Sequence, residues 1–474
     1  MIKVGFLINY NHFKWLGGIY VIKHLIYGIN RHLKKKIDPI LIVNKDLSNE
    51  AINDLKKFNL IKTNLFHNQS LFDKLYNKLS VIFFGKSSKY ESFFLKEKIN
   101  LVSHINVFGN NIIFGKKSVT KSLSFIADFQ HLYFKENFSV WKRIMRNLNT
   151  FLCTHFSSKI LLISNDAQKD LKKISHAAYN NSVISKFVFQ IPAKKEIVNL
   201  SIIKKKYKFN MPFFYVPNQY WVHKNHFIIL KAIKYIKKKN NLKKILILSS
   251  GLSVDYRNPN HFLKIKNFIS ENNLENNYKY LGVIPFKDVL SLIYHSTAII
   301  NPSKFEGRSS TVEQAKSMNK KIILSNINIH KEQKPENANY FDPNNYKQLS
   351  KILLNNCKHK NKGRNYYKNA QQKNNDDMKI YCNNYLKIVK NLIRNNANGI
   401  YNVSIGKKIY LNDLIEWLNT FNKNKHKIRT KLKKITTDRF FLNNYKLMKK
   451  ININNGVDQL KNDCKNISKL YFST

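Results

Sequence analysis

The 474-residue sequence is poor in acidic residues, cysteine, glycine and proline. It contains 28 Asp and Glu against 83 Lys and Arg, for a formal net charge of +55, and only 4 Cys, 14 Gly and 9 Pro. So little glycine and proline excludes collagen-like and low-complexity chains, and so little cysteine excludes a disulfide-built scaffold. The hydrophobic content of 43% is enough for packed cores, which excludes a disordered chain.

The four cysteines, Cys153, Cys357, Cys382 and Cys464, form no Cys-x-x-Cys pair and no histidine cluster joins them. Scattered thiols are typical of a reducing compartment, so a cytoplasmic location is predicted. Long apolar runs are also lacking. No uncharged stretch reaches about 18 residues, so no membrane-spanning helix is predicted. Residues 1–10 read as a short apolar strand rather than a signal peptide.

The basic excess has two interpretations. A basic surface attracts phosphates, nucleic acid or anionic lipid. The excess is mostly lysine, however, is spread along the whole chain and accompanies many Asn and Ile residues, as the coding bias of an AT-rich genome would produce. No nucleic-acid-binding motif accompanies the charge, so nucleic acid is not predicted as a partner. Peripheral contact with an anionic membrane stays open, because charge acts whatever its origin.

Short apolar runs alternate with segments of helical periodicity, which is typical of doubly wound α/β lobes. The first lobe is predicted over residues 1–200 and the second over residues 208–375, with a linker around 192–207. A further helix at 376–395 is expected to return to the first lobe, and a small α/β extension follows at 399–474. Open α/β sheets bind ligands beyond the carboxyl ends of their strands, so the cleft between the lobes is the predicted site.

The two lobes have their predicted elements in strict alternation. In the first lobe, strands are expected at 3–9, 39–43, 81–84, 100–104, 124–126 and 160–164, with a Gly17-Gly18 loop before a helix at 19–29. In the second lobe, strands are expected at 214–216, 244–249, 278–281, 297–301 and 321–325, with helices at 225–238, 258–275, 289–295, 310–318 and 346–356.

The segment 299–330 carries the clearest chemical signal. It reads as strand, turn, helix and strand, with Glu306 on the turn and Glu313 in the first turns of the helix. The residues between them bring backbone N–H groups to a helix N-terminus, which can hold a diphosphate. The two carboxylates can accept hydrogen bonds from sugar hydroxyls and stabilise an oxocarbenium-like transition state. In the simpler interpretation, a serine caps the helix and both glutamates face solvent.

This segment resembles the retaining GT-B glycosyltransferases of family 4, and the resemblance extends over residues 1–395. Further stretches agree with the family in the same order along the chain: Asp128–His131, Ser164-Asn165, Asn218–His226, Gly251–Pro259 and Leu281–Pro285. The resemblance implies a GT-B fold of two Rossmann-like lobes facing a cleft. It also implies a nucleotide-sugar co-substrate without a cofactor or metal, and a saccharide or lipid-linked acceptor in cell-surface polysaccharide synthesis.

The resemblance also implies roles for single residues of the second lobe. Glu306 would contact the donor sugar near its reacting carbon, and Glu313 would hold the ribose. Lys224 would neutralise the diphosphate leaving group. The backbone of Gly307, Arg308, Ser309, Ser310 and Thr311 would form the phosphate cradle.

In the first lobe, Gly17 and Gly18 would allow the backbone to approach the donor phosphates or the acceptor. His131, with Asp128 beside it, is the candidate polar residue near the acceptor, and a purely structural histidine is the alternative.

Three departures from the family pattern stand out. Six residues separate Glu306 from Glu313 where most members have seven, although one bacterial branch shares the shorter spacing. Gln219 occupies a position where many members have a phosphate-binding arginine, and Arg308 or Arg257 would have to replace that charge. Arg308 itself stands where this branch usually has an aromatic residue.

The extension resembles a different family. Gly399–Trp417 and Asp438–Leu447 are similar to the substrate lobe of extended short-chain dehydrogenases acting on nucleotide sugars, without the glycine fingerprint of a dinucleotide site. Two alternatives to a transferase remain for the whole chain: a nucleotide-sugar epimerase on the same fold, and a basic binding protein that has lost catalysis.

Overall fold

The computed structural model describes residues 1–8, 16–47, 55–66, 70–105, 114–115, 117–239, 245–357, 365–394 and 462. Residues 1–396 form one compact unit. Apart from Asn462, the predicted extension at 399–474 lies outside the described residues. Within the described residues, no helix is long and apolar enough to cross a bilayer.

The first lobe is built on a seven-stranded parallel sheet with the order β3-β2-β1-β4-β5-β6-β7. Its strands are β1 Ile2–Ile8, β2 Ile37–Val43, β3 Asn59–Lys62, β4 Leu101–Ile105, β5 Lys121–Phe125, β6 Lys159–Leu162 and β7 Ser182–Ile184. Its helices are α1 Leu16–His32, α2 Leu71–Phe84, α3 Ser88–Lys96, α4 Val140–Phe156, α5 Asn165–Ile174 and α6 His176–Asn180. Because the chain runs from β1 outward to β3 and then crosses to β4, helices cover both faces of the sheet.

The second lobe has a six-stranded parallel sheet with the order β10-β9-β8-β11-β12-β13. Its strands are β8 Phe214–Val216, β9 Ile247–Ser249, β10 Tyr278–Tyr280, β11 Ile299–Asn301, β12 Ile322–Ser325 and β13 Ala338–Phe341. The remaining helices are α7 Leu200–Tyr207, α8 His226–Lys238, α9 His261–Glu271, α10 Phe286–His295, α11 Ser310–Ser317, α12 Asn328–Gln333, α13 Tyr346–Cys357 and α14 Asn365–Arg394. Short 3₁₀ turns occur at Gln130–Leu132, Lys135–Asn137, Lys194–Glu196 and Val222–Lys224.

This architecture confirms the predicted two-lobed α/β fold. All but one of the predicted strands are confirmed to within a few residues. Three strands were not predicted, β3, β7 and β13, and each lies at an edge of its sheet. Edge strands are only partly buried here, so they lack the continuous apolar run that marks a buried parallel strand.

Four expectations are wrong in detail. Residues 81–84 are the last turn of helix α2 rather than a strand, because their apolar run continues the helical period of the preceding residues. Gly17 and Gly18 lie in the first turn of α1 rather than in a loop. The expected linker at 192–207 contains the 3₁₀ turn at 194–196 and helix α7. The last helix begins at Asn365 rather than at residue 376.

Helix α14 belongs to the cores of both lobes. Near its start, Tyr367 and Ala370 are buried with the second lobe, whereas Met378, Tyr385 and further residues towards its end are buried with the first. At the contact with α1, a β-carbon added to Gly28 would lie 2.6 Å from Cys382 Sγ and 2.7 Å from Met378 Sδ. The two helices therefore approach as closely as they do because residue 28 has no side chain.

We predict that Gly28→Ala destabilises the protein. Alanine favours a helix interior by up to about 1 kcal/mol over glycine, but the close sulfur atoms make the added methyl group an overpacking change that costs about 1–3 kcal/mol. A lower urea midpoint with an unchanged slope would show the expected loss. A stability gain close to the helix-propensity difference between alanine and glycine would mean instead that α1 and α14 move apart without cost.

Candidate functional site

A buried ion pair joins the ends of two neighbouring strands of the second lobe. Lys224 Nζ lies 2.7 Å from Glu306 Oε1, and the two side chains are 15% and 9% exposed. Lys224 is on the 3₁₀ turn after β8, and Glu306 is on the turn after β11. Because β8 and β11 are adjacent and parallel, their carboxyl ends bring the two turns together. The pair thus lies where an open α/β sheet binds its ligand.

The surroundings keep Glu306 ionised. Burial alone would raise the pKa of this carboxyl, but the ammonium of Lys224 outweighs that effect and holds the pKa below its ordinary value. The neighbouring His223 is deeply buried, and desolvation lowers its pKa to about 3, so its ring is neutral at pH 7. One cation and one anion therefore face each other at the strand ends near neutral pH.

The side chain of Asn301, the last residue of β11, fixes the turn that follows. Its Nδ2 donates to Ser309 Oγ at 2.7 Å, and its Oδ1 accepts from Asn218 Nδ2 at 3.1 Å. Ser303 Oγ lies 2.7 Å from both Asn301 Oδ1 and Glu306 Oε1, so its single proton serves one of them at a time. Asn301 is completely buried, so each of these bonds is shielded from water.

Glu313 is held inside the protein by two donors. Arg308 Nη2 donates to its Oε1 at 2.7 Å, and Gln333 Nε2 donates to the same atom at 2.8 Å. The side chains of Glu313 and Arg308 are 2% and 5% exposed. Ser309 is the N-cap of α11, as the sequence indicated. The interpretation in which both glutamates face solvent is wrong.

Two of the residues expected to cradle phosphate already make hydrogen bonds within the protein. Ser309 N donates to Gln333 Oε1 at 3.1 Å, and Thr311 Oγ1 donates to Asn218 Oδ1 at 3.1 Å. Ser310, the first residue of α11, is half-buried. These contacts fix the start of the helix, and only part of the expected cradle is open to a ligand.

At Gly307 the second lobe touches the first. Its carbonyl accepts a hydrogen bond from Ser164 Oγ at 2.9 Å, and a β-carbon added to it would lie 2.1 Å from the carbonyl oxygen of Ala127. The turn that carries Glu306 therefore lies against the first lobe without room for even a methyl group.

In the first lobe, His131 and Asp128 are joined by Arg146, a residue that sequence analysis missed. Arg146 Nη2 contacts Asp128 Oδ1 at 2.8 Å, and its Nε donates to His131 Nδ1 at 3.1 Å. The other ring nitrogen of His131 then donates to Asn147 Oδ1 at 2.9 Å. Burial, the largest effect, lowers the pKa of His131. Both ring nitrogens are occupied, so the geometry favours the structural role that the sequence left open.

The two arginines considered as replacements at the Gln219 position differ in their surroundings. Arg257 Nη1 donates to Gln130 Oε1 of the first lobe at 2.9 Å, and its guanidinium packs on Trp221. Arg308 Nε and Nη1 are buried without a hydrogen-bond partner among the described residues. Gln219 itself accepts from His226 Nε2 through its backbone carbonyl. Of these two arginines, Arg308 is thus the one with unused hydrogen-bond donors among the described residues. It borders a cavity of about 570 Å³ that is also lined by residues of α11 and α14.

Two further expectations concern metal and the glycine pair. Within the described residues, no group of three or more His, Cys, Asp or Glu side chains converges on a position that could hold a metal ion. Metal independence itself stays a prediction. Gly17 and Gly18 start α1 directly after residues 9–15, which lie outside the described part of the chain, so their approach to a ligand also stays a prediction.

Sequence comparison places the ion pair inside a known type of domain. Residues 201–373 match the sequence model of the family described as Glycosyl transferases group 1. This range contains Lys224, Glu306, Arg308 and Glu313. No curated protein matched the whole sequence significantly.

Structure comparison shows the fold. A glycosyltransferase from Rickettsia africae ESF-5 is 16% identical with a TM-score of 0.55, covering 83% of this chain and 99% of its own. Anabaena HepE in complex with UDP and glucose is 14% identical with a TM-score of 0.58, covering 82% and 100%. Sucrose-phosphate synthase from Thermosynechococcus elongatus is 11% identical with a TM-score of 0.56, covering 83% and 99%. The described lobes thus have the GT-B fold of glycosyltransferases.

We predict that Lys224→Met destabilises the protein and reverses the effect of pH at this site. Removing one partner of a buried pair costs about 3–5 kcal/mol, because the other charge stays buried without compensation. In the wild type, the pKa of Glu306 is lower in the folded protein than in the unfolded chain. The ionised carboxylate therefore stabilises the fold at pH values above the unfolded-state pKa, and this stability is lost as the pH falls through the folded-state pKa. In the variant, unopposed burial raises that pKa, so stability falls as the pH rises towards 7.

The measurement is urea unfolding of both proteins at pH 5 and pH 7.5. Lys89→Met is the matched control, because Lys89 and Asp73 form an exposed ion pair at 3.0 Å, and solvent screens such a pair so that its loss should change stability little. Equal losses in the two variants at both pH values would contradict the assignment of a buried pair.

Proposed function

We propose that this protein is a glycosyltransferase that moves a sugar from a nucleotide-sugar donor to a saccharide or lipid-linked acceptor with retention of configuration. The observation that carries the proposal is the Lys224–Glu306 pair, buried at the strand ends within the group 1 glycosyl transferase match. A cation and a carboxylate at one point are what cleavage of a sugar–diphosphate bond needs. The reaction would belong to cell-surface polysaccharide synthesis in the cytoplasm.

Lys224 is proposed to stabilise the leaving diphosphate. The bond between the anomeric carbon and the diphosphate oxygen breaks, the diphosphate keeps the electron pair, and an acceptor hydroxyl bonds to the same carbon on the same face while its proton passes to an oxygen of the departing diphosphate. Negative charge grows on the diphosphate during this step, and a cation in a partly desolvated site stabilises it strongly. Lys224 would contact the diphosphate with the ammonium donors that Glu306 does not use, so the ion pair is kept.

Glu306 is proposed to lie beside the donor sugar near the anomeric carbon. Its lowered pKa keeps it ionised at neutral pH, and an anion stabilises the positive charge that develops on the sugar ring. Arg308 would supply the second phosphate contact that Gln219 cannot make, since Nε and Nη1 lack partners among the described residues. No metal is required in this scheme, because the positive charges of Lys224 and Arg308 stabilise the negative charge of the diphosphate in place of a metal ion.

Glu313 is proposed to bind the ribose through Oε2, since both of its described hydrogen bonds use Oε1 and Oε2 has only a longer ion-pair contact, 3.8 Å to Lys316 Nζ, among the described residues. Its side chain is only 2% exposed, so Arg308 has to swing aside when a donor binds. The same movement would bring Arg308 to the phosphates. One side chain would thus open the ribose position and fill the phosphate position.

A calorimetric titration with UDP-, GDP- and TDP-sugars in EDTA tests the proposal, and UDP-glucose comes first because HepE was solved in complex with UDP and glucose. We expect one nucleotide class to bind. Glu313→Gln should weaken binding about tenfold, which corresponds to about 1.4 kcal/mol. Glu306→Gln should bind within a few-fold of wild type but slow donor hydrolysis about 100-fold or more.

Glu336→Gln is the matched control, because Glu336 is an exposed carboxylate of the same lobe, paired with Lys373 and remote from the Lys224–Glu306 pair in sequence. It should leave both readouts unchanged. Absence of binding to every nucleotide sugar would refute the proposal in favour of a binding protein. Formation of an epimer of the donor sugar without an acceptor would identify an epimerase, and binding that requires a divalent ion would refute metal independence.

A further inference from the structure

Helix α4 turns its apolar side to solvent and its polar side to the core. Trp141 is 68% exposed. The exposed apolar residues are spaced as one helical face: Val140, Trp141, Ile144, Met145, Leu148 and Phe151. The buried residues of the same helix are Asn149, Thr150 and Cys153. A helix on the surface of a soluble domain has the opposite arrangement.

Helix α2 is inverted in the same way. Phe72 is 86% exposed. The exposed apolar residues are Phe72, Leu75, Tyr76, Leu79, Ile82, Phe83 and Phe84. The buried positions include Asn77 and Ser80, and the Asn77 side chain contacts Ser87 Oγ at 2.8 Å. Asn77 and Ser80 on its buried side make hydrogen-bond contacts, and apart from the buried Val81 the described apolar side chains of this helix are exposed.

The two helices lie on the same face of the first sheet. Helix α4 packs through Cys153 on a core that contains Ile160 of β6, and α3 packs on a core that contains Ile105 of β4. Ile105 is paired with Ser124, and Ser124 with Ile160, in the register of the parallel strands. Residues paired in this way point to the same face of a sheet, so Ile105 and Ile160 lie on one face. Helix α2 lies beside α3, because Asp73 of α2 pairs with Lys89 of α3 and Asn77 contacts Ser87, the N-cap of α3. We call the exposed apolar residues of α2 and α4 together the apolar face.

The charges beside the apolar face are mainly positive. Lys86, Lys89 and Lys117 are exposed near the end of α2, and Lys142 is exposed at the start of α4. Helix α4 contains no Asp or Glu. Asp73 of α2 is paired with Lys89, and Glu136 precedes α4. The surface thus combines a large apolar area with a basic border.

We propose that the apolar face docks on an anionic lipid bilayer, with α2 and α4 lying in the interface. Amphipathic helices with large apolar and basic residues bind in this way, and Trp and Tyr favour the headgroup level. Anionic lipid also complements the net charge of +55. A second copy of the chain is a poor occupant, because it would bring the same positive charge and the same basic border.

This proposal is independent of the proposed function. Exposed apolar patches on soluble monomers rarely exceed a few hundred Å² unless they bind something, and the thirteen exposed residues of the two helices exist whatever the second lobe does. If donor transfer is confirmed, docking through the first lobe would place the acceptor-side lobe at the membrane, where a lipid-linked acceptor would be found.

The test is flotation of the full-length protein with vesicles of phosphatidylcholine alone and of phosphatidylcholine with 30% phosphatidylglycerol. The wild type should float with the anionic vesicles and bind neutral vesicles at least tenfold more weakly. The double variant Phe83→Asp, Leu148→Asp, with one change in each helix, should lose binding to anionic vesicles at least tenfold. Both residues are exposed, so the fold and nucleotide-sugar binding should be unchanged.

The matched control is Ile202→Asp, Leu263→Asp, which changes two exposed apolar residues of the second lobe and adds the same negative charge. It should float about as well as the wild type. Equal loss in both double variants would show that binding depends only on net charge and would overturn the proposal. Failure of the wild type to float, or a dimer in light scattering that only the first variant abolishes, would overturn it too.

Discussion

The buried Lys224–Glu306 pair imposes the constraint on which the second lobe depends. Two opposite charges, 82 residues apart, meet at 2.7 Å with little solvent around them. Such a pair contributes little net stability, because desolvation of both groups offsets their attraction, yet loss of either partner is costly. The turns after β8 and β11 therefore have to keep their relative position. A ligand that offers a new anion to Lys224 can bind without burying a new unpaired charge.

The hydrogen bonds around the pair explain how the turn after β11 is held. Asn301 connects Ser309, the cap of α11, to Ser303 and so to Glu306. On the other side, Gln333 connects the backbone of Ser309 to Glu313 and Arg308. The two glutamates thus belong to one connected set of buried hydrogen bonds. In a site of low polarity such a set is rigid when every member is satisfied, and Arg308 is the member that is not.

The sequence predicted the strands in the interior of both sheets and missed three of the four edge strands. Strands β8 and β11 could be placed because all their residues are buried, whereas the edge strands β3, β7 and β13 are partly exposed. The apolar run at 81–84 was predicted as a buried strand for a related reason. Its residues Ile82, Phe83 and Phe84 are apolar, but they are exposed on a helix. Glu306 and Lys224 could be paired only through a resemblance, and Arg146 carried no local signal, because long-range contacts leave no periodicity in the chain.

The contact between the lobes decides how a ligand can enter the cleft. Polar bonds across the cleft join Ser164 to Gly307, Arg257 to Gln130, and the backbone of Asn165 and Asp166 to Glu332. Each contributes about 1 kcal/mol, or somewhat more where a charge is involved, so thermal motion or the binding energy of a ligand can separate the lobes at the Gly307 turn. Helix α14 stays in the cores of both lobes, and its large buried aromatic residues make its release far more costly. Opening is therefore expected to leave α14 in place and to separate the Gly307 turn from Ala127.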